Sequence, residues 1–285
     1  MKLISFVRLG QCRFGAAVGG GLIDLTGRLG ADIKDIKTLL TADRVQDVAA
    51  YIQGRAPTLQ WSDVTLLPVI PAPAKLLCIG LNYLKHKQET GRPDVDHPTV
   101  FTRYADSQVA HGQPMIKPAV SERFDYEGEL AIIIGRGGRS IPEKSALQHV
   151  AGYACYNDGS VRDWQRHTAQ FVPGKTFPGT GAYGPWVVTA DEVEDYRSMK
   201  IATRLNGDVM QQASLGDLIF PLETIINYCS TFTPLAPGDV ILTGTPGGVG
   251  DKRTPPVYMQ AGDTVEVDIS GVGVLRNPIV AEGSP

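Results

Sequence analysis

Cysteine is scarce in this sequence and never occurs in closely spaced pairs. The 285 residues include four cysteines, Cys12, Cys78, Cys155 and Cys229, and none belongs to a CxxC motif. Disulfide frameworks and zinc sites usually need such groupings. We therefore expect the four cysteines to be reduced, as core or half-buried residues of a cytoplasmic protein, without a disulfide or a structural zinc.

Long apolar runs and long basic runs are both missing. No segment approaches the roughly 20 apolar residues that cross a bilayer, and charges at Lys2 and Arg8 interrupt the N-terminus too early for a signal peptide. The formal net charge is −3, and no Lys/Arg cluster is long enough to follow a phosphate backbone. We expect neither a membrane nor a nucleic acid as a partner.

Nucleotide-binding fingerprints are absent as well. The Gly-rich stretch 242–250 fits neither GxGxxG before a helix nor GxxxxGK[ST]. A nucleotide-dependent oxidoreductase is therefore disfavoured. The backbone N–H groups of this loop and the hydroxyl of Thr245 could instead hold a substrate carboxylate, although a simple turn explains the same residues.

Short apolar runs between glycines and prolines indicate a β-rich α+β fold, without the regular alternation of a doubly wound sheet. The predicted strands cover 3–7, 16–25, 75–80, 130–134, 185–189, 239–243 and 263–269. The predicted helices cover 41–54, 143–150, 160–168 and 222–232. Three prolines within 67–73 predict a stiff linker. The boundary is placed there, with a small N-terminal domain over 1–70 and a catalytic domain over 71–285.

Two glutamates flank a glycine at the start of an apolar strand. Residues two apart on a strand share a face, so Glu127 and Glu129 are expected side by side. Gly128 between them indicates close approach of another backbone. Two neighbouring carboxylates repel each other unless a positive charge lies between them. A solvated acidic edge beside arginines is the alternative.

Asp158 supplies a third acid, at the end of a predicted strand. Three carboxylates from two strands, completed by water, suit Mg²⁺ or Mn²⁺ better than zinc. An ordinary helix cap is the alternative for Asp158. Arg162 and Gln165 follow on the next predicted helix, and Lys175 follows in a Gly/Pro-rich loop. Beside a metal, that lysine could stabilise an oxyanion or bind a carboxylate.

His86 and Glu89 have the spacing of neighbours on one helical turn. A carboxylate that holds one imidazole nitrogen leaves the other nitrogen as a better base. An ordinary surface pair is the alternative. The breaker-rich stretch Gly91, Arg92 and Pro93 suits a mobile lid.

Together these segments resemble the fumarylacetoacetate hydrolase superfamily over residues 73 to about 280. The matching pieces are 79–83 with His86 and Glu89, 126–130, Gly152-Tyr153 with Asn157-Asp158, Arg162-Asp163 with Gln165, Gly174-Lys175, Gly184-Pro185 and 242–246. The resemblance implies a mixed β-roll or barrel-like sandwich, usually a homodimer. Residues 1–70 correspond to the variable N-terminal domain of that family.

The resemblance also implies roles for individual residues. Metal ligands are assigned to Glu127, Glu129 and Asp158, for Mg²⁺ or Mn²⁺, with Ca²⁺ also possible. Catalytic roles are assigned to His86, Glu89, Gln165 and Lys175. Substrate contacts are assigned to Tyr83, Arg103, Arg162 and Thr245. Arg103 is a departure, because many members carry a lysine at this position, and arginine prefers bidentate carboxylate contacts.

The leading functional hypothesis is hydrolysis of a C–C bond in a β-diketo acid of the acylpyruvate or fumarylpyruvate type. Decarboxylation, isomerisation or tautomerisation, and cleavage of a diketo sugar acid use the same metal-stabilised enolate. Only hydrolysis strictly needs an activated water, so the His86–Glu89 pair favours it. A non-catalytic protein that binds a small acid is the alternative from another class.

Overall fold

A computed structural model describes residues 1–91 and 95–284. The strands in these ranges are β1 (Lys2–Arg8), β2 (Gln11–Val18), β3 (Gly21–Asp24), β4 (Thr65–Leu66), β5 (Leu76–Gly80), β6 (Thr99–Thr102), β7 (Gln108–Ala110), β8 (Met115–Lys117), β9 (Phe124–Asp125), β10 (Gly128–Ile134), β11 (Val150–Asp158), β12 (Ser160–Val161), β13 (Gly181–Thr189), β14 (Lys200–Leu205), β15 (Asp208–Ser214), β16 (Val240–Leu242), β17 (Thr264–Ile269) and β18 (Gly273–Ala281). The α-helices are α1 (Ile36–Thr41), α2 (Val45–Ile52), α3 (Leu84–Thr90), α4 (Glu143–Ala146), α5 (Arg162–Gln165), α6 (Val172–Lys175) and α7 (Leu222–Phe232).

Most strands belong to two sheets. The large sheet has the order β3-β2-β1-β13-β11-β10-β16-β5-β6, with β4 beside β1 and β7 beside β13. The smaller sheet has the order β15-β14-β17-β18-β8. The β-rich α+β class is thus confirmed, while the sheets in the described ranges stay open and do not close into a barrel.

Strand β10 is buried on both faces, which explains its continuous apolar sequence. Leu130, Ile132 and Ile134 pack in one hydrophobic cluster with residues of the smaller sheet. Ala131 and Ile133 pack in a second cluster with N-terminal residues. The strand that carries the glutamates is therefore held from two sides.

The N-terminal strands continue the large sheet. Lys2 pairs with Val188 and Leu3 with Val187, so β1 lies beside β13. Within the predicted linker, Val69 and Ile70 are buried. The division into domains at residue 70 stays a prediction.

Most predicted elements agree with the structure, and α7 has the predicted bounds. The predicted helix 160–168 is shorter, because Ser160 and Val161 pair with β9 and only Arg162–Gln165 is α-helical. The predicted helix 143–150 is also shorter, because α4 ends at Ala146 and a 3-10 turn leads into β11. The four cysteines are free, but Cys12 is exposed, against expectation, because the first residues of β2 face solvent. Among the described residues, no helix is long and apolar enough to cross a bilayer.

Candidate metal centre and active site

Three buried carboxylates converge where β10 begins and β11 ends. These strands are antiparallel neighbours, and Gly128 pairs with Asn157. The N–H of Asp158 donates to the carbonyl of Glu127 at 2.8 Å, so Glu127 and Asp158 lie side by side. One oxygen each from Glu127, Glu129 and Asp158 lies within 4.8 Å of the others. The pairing of two strands thus brings together residues 31 apart in sequence.

Lys175 joins two of these carboxylates. Its Nζ lies 2.7 Å from Oε2 of Glu127 and 2.5 Å from Oδ2 of Asp158, and the residue is 1% exposed. Nη1 of Arg162 lies 2.7 Å from Oε1 of Glu127. Burial raises the pKa of Glu127, but Lys175 and Arg162 outweigh burial and lower that pKa to about 2. Glu127 is therefore an anion at neutral pH.

Glu129 has no such cation among residues 1–91 and 95–284. Its Oε2 accepts a hydrogen bond from the N–H of Gly244 at 2.8 Å. No lysine, arginine or histidine of the described ranges forms an ion pair with it. Burial, together with Asp158 and Glu127, raises the pKa of Glu129 well above its usual value. A divalent cation between the three carboxylates would relieve this repulsion, and three carboxylate oxygens are the donors that Mg²⁺ and Mn²⁺ prefer.

When all four carboxylates around the centre are ionised, the buried charges there leave an excess of one negative charge. Four carboxylates face three cations, each almost inaccessible to solvent: Asp125, Glu127, Glu129 and Asp158 against Arg103, Arg162 and Lys175. A divalent cation would change this excess to one positive charge. The loaded centre would then attract an anionic ligand.

Gly128 allows the smaller sheet to approach the glutamates. A Cβ at this position would lie 2.1 Å from Oγ1 of Thr203 on β14. A close approach is therefore present at this glycine, but it is made by the side chains of Thr203 and Val267 and not by another backbone, as the sequence had predicted. The N–H of Gly128 donates to Oε1 of Gln211 at 3.0 Å, and Nε2 of Gln211 in turn donates to the Thr245 hydroxyl.

The predicted pair of His86 and Glu89 is formed on α3. Nδ1 of His86 lies 2.7 Å from Oε1 of Glu89. The other carboxylate oxygen of Glu89 accepts the N–H of Gly248 at 2.9 Å. Arg253 donates to the carbonyl of Gly248 at 3.2 Å and to the carbonyl of Met210. The loop after β16 thus fixes the carboxylate that orients the imidazole.

A cavity of about 350 Å³ collects most of the predicted site residues. The predicted residues in its lining are His86, Glu127, Glu129, Arg162, Gln165, Lys175 and Thr245. Asp158 lies behind them, fully buried against Lys175. The size of the cavity is at the lower end of the usual range for small-molecule sites. Acids, bases and hydrogen-bond donors therefore face one small volume.

Two side chains in the lining, Arg162 and Gln165, have N–H groups that can donate further hydrogen bonds. Nη1 of Arg162 donates to Oε1 of Gln165 at 3.0 Å, so the Gln165 NH₂ group is turned away from this contact. Nη2 of Arg162 is buried and has no hydrogen-bond partner among the described residues. The Thr245 hydroxyl, by contrast, donates to the carbonyl of Gly128 at 2.9 Å. Thr245 consequently contributes to the lining with its hydroxyl hydrogen already bonded.

Two predicted substrate contacts are not brought to the cavity surface. Arg103 is 2% exposed and donates to Asp158 at 2.5 Å, to the carbonyl of Gly159 and to Thr180. Arg103 therefore holds Asp158 from behind. Tyr83 is also 2% exposed, and burial raises the pKa of its hydroxyl. Neither residue lines the cavity in the described ranges. The lid predicted at Arg92 and Pro93 lies outside the described residues.

Asp125 is a further polar residue of the centre. Its carboxylate accepts hydrogen bonds from Nε of Arg162 at 2.8 Å and from the N–H groups of Gly250 and Asp251. The alternation that identified Glu127 and Glu129 includes Asp125 two positions earlier, so a sequence signal was present. The backbone donors at Gly244 and Gly248 carry no comparable signal, because their side chains give no indication of what their N–H groups bind.

Comparison with known proteins agrees with this architecture. Residues 75–280 match the family described as "Fumarylacetoacetate (FAA) hydrolase C-terminal". The mitochondrial oxaloacetate tautomerase FAHD2B of Homo sapiens is 40% identical over 231 residues, which are 80% of this chain and 74% of that protein. The fumarylacetoacetate hydrolase of psychrophilic Exiguobacterium antarcticum superposes with a TM-score of 0.87 at 35% identity, covering 99% of this chain and 100% of that one.

A third relative was solved with ligands. The maleylpyruvate hydrolase of Sphingobium sp. SYK-6, in complex with manganese(II) and pyruvate, superposes with a TM-score of 0.82 at 29% identity and covers 99% of each chain. The family profile spans most of the sequence, and the fold is shared over nearly its whole length. This chain belongs to the fumarylacetoacetate hydrolase family.

Proposed function

We propose that this protein is a divalent-metal-dependent enzyme that forms the enolate of a 2-oxo acid. One observation carries the proposal: two of the three carboxylates face the same small cavity as His86, whose imidazole contacts Glu89. A metal site alone would suit many functions. A metal site beside an oriented imidazole suits the movement of a proton on a bound oxo-acid.

Glu127, Glu129 and Asp158 would hold the cation. When bound, a divalent cation supplies the Lewis-acid charge that stabilises an enolate oxygen. The repulsion around Glu129 supports this assignment, as does the manganese ion reported with a structural relative. Mg²⁺ and Mn²⁺ are the proposed ions, and Ca²⁺ also fits an all-oxygen donor set.

Arg162, Gln165 and Lys175 would bind and orient the oxo-acid. Nη2 of Arg162 is a buried donor at the cavity wall, and no residue that the structure describes accepts a hydrogen bond from it. A substrate carboxylate would satisfy it with a charge-assisted hydrogen bond. The NH₂ group of Gln165 and the ammonium of Lys175 are the proposed donors to an oxygen that becomes negative during the reaction.

His86 would move the proton. Glu89 accepts from Nδ1 and is itself held by the N–H of Gly248. This arrangement keeps the proton on Nδ1 and leaves Nε2 free to act as the base. Glu89 also stabilises the imidazolium that forms when Nε2 takes a proton.

Hydrolysis of an acylpyruvate is the specific reaction that this pair favours. His86 would take a proton from water as the water oxygen bonds to the distal carbonyl carbon. The bond between that carbon and C3 then breaks, and its electron pair passes to the pyruvoyl unit as an enolate. The imidazolium returns the proton to C3, so that the products are a carboxylic acid and pyruvate.

Keto–enol tautomerisation of oxaloacetate is the second candidate. Several curated relatives carry the name oxaloacetate tautomerase, including the human protein at 40% identity. Tautomerisation needs the same enolate and one acid–base group, but no attacking water. The cavity and the imidazole are also compatible with this reaction.

A parallel assay of two substrates would separate these reactions. EDTA-treated protein, restored with Mg²⁺ or Mn²⁺, is given acetylpyruvate, and the release of pyruvate and acetate is measured. The enol–keto conversion of oxaloacetate is followed by its ultraviolet absorbance. Metal-dependent cleavage supports hydrolysis, and metal-dependent conversion without cleavage supports tautomerisation. The absence of both would contradict the proposal.

The remaining expectations concern assembly and location. We expect a small oxo-acid as the partner molecule and a homodimer as the assembly, because both accompany the family resemblance. The cytoplasmic location stays a prediction, since relatives named as mitochondrial exist. Sedimentation of the full chain would test the dimer.

A further inference from the structure

Arg253 makes its hydrogen bonds to uncharged oxygens. Nε donates to the carbonyl of Gly248 at 3.2 Å and to the hydroxyl oxygen of Tyr126 at 3.1 Å, and Nη2 donates to the carbonyl of Met210 at 2.6 Å. None of the ion pairs formed within residues 1–91 and 95–284 includes Arg253. Since the donors of a guanidinium form a rigid planar fork, this side chain fixes the relative positions of three separate segments.

The carbonyl of Gly248 accepts from two side chains. The hydroxyl of Tyr126 donates to it at 3.2 Å, in addition to Nε of Arg253. The φ angle of Gly248 is +102°, and a Cβ at this position would lie 2.3 Å from the carbonyl oxygen of Met210 on β15. The loop after β16 therefore lies directly against β15, in a backbone conformation that only glycine adopts readily.

The N–H of the same glycine donates to Oε2 of Glu89 at 2.9 Å. The other oxygen of Glu89 contacts Nδ1 of His86. The side chain of Glu89 is 23% exposed, so burial alone does not restrict it to one rotamer. The hydrogen bond from Gly248 supplies that restriction. A chain of contacts thus leads from Arg253 through Gly248 and Glu89 to the imidazole of His86.

Arg253 itself is separate from the cavity and from the carboxylate centre. His86 is among the lining residues, whereas Arg253 is not among those that the structure describes there. The oxygens that accept from Arg253 belong to Tyr126, Met210 and Gly248, not to the three carboxylates. An effect of Arg253 on the reaction must therefore pass through the groups that it holds.

We propose that Arg253 is a positioning residue for the proposed base. It holds Gly248 so that the N–H of this glycine fixes Glu89, and Glu89 in turn fixes the imidazole of His86. The hydroxyl of Tyr126 assists at the same carbonyl. The inference rests on the proposed function, in which His86 moves the proton.

The first test measures kcat and KM of the Mg²⁺-loaded full chain with whichever of acetylpyruvate and oxaloacetate turns over. Arg253→Met should lower kcat by roughly 10- to 100-fold, because the base is no longer aligned. The KM should change by less than about threefold, since the groups that bind the oxo-acid are retained. The Mg²⁺ affinity, measured by calorimetry, should equal that of the wild type. An unchanged kcat in Arg253→Met would overturn the inference.

The second test removes Glu89, the link through which Arg253 acts. In a Glu89→Ala background, Arg253→Met should lower kcat by less than about twofold further, because the two residues belong to one chain of contacts. A residue that only stabilises the fold would lower kcat by the same factor with and without Glu89. Such an equal fall would overturn the inference.

Three further variants control for chemistry and folding. Arg253→Lys keeps one donor group and should be at least about threefold faster than Arg253→Met. Tyr126→Phe removes the other donor to the Gly248 carbonyl and should lower kcat by roughly two- to tenfold, again only when Glu89 is present. It repeats the comparison if Arg253→Met does not fold. Arg139→Met removes an exposed arginine that bonds the carbonyl of Thr231 outside the cavity, and it should keep the wild-type kcat.

The position of the imidazole can also be observed without a reaction. The full chain is prepared with histidine that carries an NMR-active nitrogen isotope, and the Nδ1–H signal that is missing in His86→Ala identifies His86. This signal should be present in the wild type and in Arg139→Met, and it should be lost to solvent exchange in Arg253→Met. Its absence from the wild type, or its survival in Arg253→Met, would overturn the inference.

The two kinds of measurement separate this inference from the proposed reaction. Loss of the His86 signal in Arg253→Met, without turnover of acetylpyruvate or oxaloacetate by the wild type, would support the positioning role and contradict the proposed chemistry. Turnover that is unchanged in Arg253→Met would support the chemistry and contradict the role of Arg253.

Discussion

Nδ1 of His86 lies 2.7 Å from Oε1 of Glu89, one helical turn further along α3. The contact is local, and it is oriented by a distant residue, because the N–H of Gly248 holds the second oxygen of Glu89. Only His86 of this pair faces the cavity. This geometry supports the proposed roles, with the imidazole as the base and the carboxylate as the group that orients it.

Replacing His86 separates catalysis from metal binding. His86→Ala should lower the rate of the metal-dependent reaction by about 10²- to 10⁴-fold, the usual contribution of general acid–base catalysis. Glu89→Gln should lower it less, because a glutamine oxygen can still accept from Nδ1. Calorimetric titration with Mg²⁺ should give both variants the affinity of the wild type. A full reaction rate in His86→Ala would show that another group is the base.

Replacing Glu129 tests the metal centre without any substrate. Glu129→Gln should weaken Mn²⁺ binding by at least about a hundredfold, since even residues that only support a ligand contribute up to that much. The metal-free variant should be at least as stable as the metal-free wild type, because a buried carboxylate with a raised pKa is removed. Calorimetry and urea unfolding measure the two effects. The exposed Glu143→Gln is the matched control; equal Mn²⁺ affinity in both variants would rule Glu129 out as a ligand.

Gly128 and Thr203 form a packing pair that a double-mutant cycle can test. Gly128→Ala should lower the free energy of unfolding by about 2–3 kcal/mol, because its Cβ would overlap Oγ1 of Thr203. Thr203→Ala alone should cost less than about 1 kcal/mol, since that hydroxyl has no hydrogen-bond partner in the described ranges. The double variant should recover at least half of the loss. Strictly additive losses in urea unfolding would exclude the proposed contact.

Replacing Arg103 tests whether this residue holds Asp158 in position or contacts the substrate. Arg103→Lys keeps the charge beside Asp158 but cannot also bond Gly159 and Thr180, so stability should fall by about 2 kcal/mol. The KM should change by less than about threefold, because Arg103 does not line the cavity. Urea unfolding and steady-state kinetics provide the two numbers. A KM raised by about tenfold at unchanged stability would instead make Arg103 a substrate contact.

Features that depend on short-range periodicity could be predicted from the sequence. Alternation along a strand placed Glu127 and Glu129 together, and the i, i+3 spacing placed His86 beside Glu89. The apolar stripe of α7 gave that helix its exact bounds. In each case the relevant neighbour lies within a few residues, so the local geometry fixes the contact.

Contacts between distant segments could not be predicted in this way. Arg103 donates to Asp158, which lies 55 residues further along the chain. The length of the intervening chain does not indicate which face of β11 Arg103 would contact. The close packing of Gly174 against the backbone of Gln165 places Lys175 near Glu127, and only the assembled fold defines it. Asp251 lines the cavity, and the backbone N–H groups of Gly250 and Asp251 donate to Asp125, a contact that side-chain patterns do not reveal.

The most direct test of the central claim is the exchange of hydrogen at C3 of a simple 2-oxo acid. Pyruvate is incubated with the protein in D₂O, and the loss of its methyl signal is followed by proton NMR. We predict exchange that requires Mg²⁺, stops with EDTA, is absent in Glu129→Gln and is slow in His86→Ala. Exchange that continues in EDTA, or that never exceeds the rate without protein at saturating Mg²⁺, would contradict enolate formation at this centre.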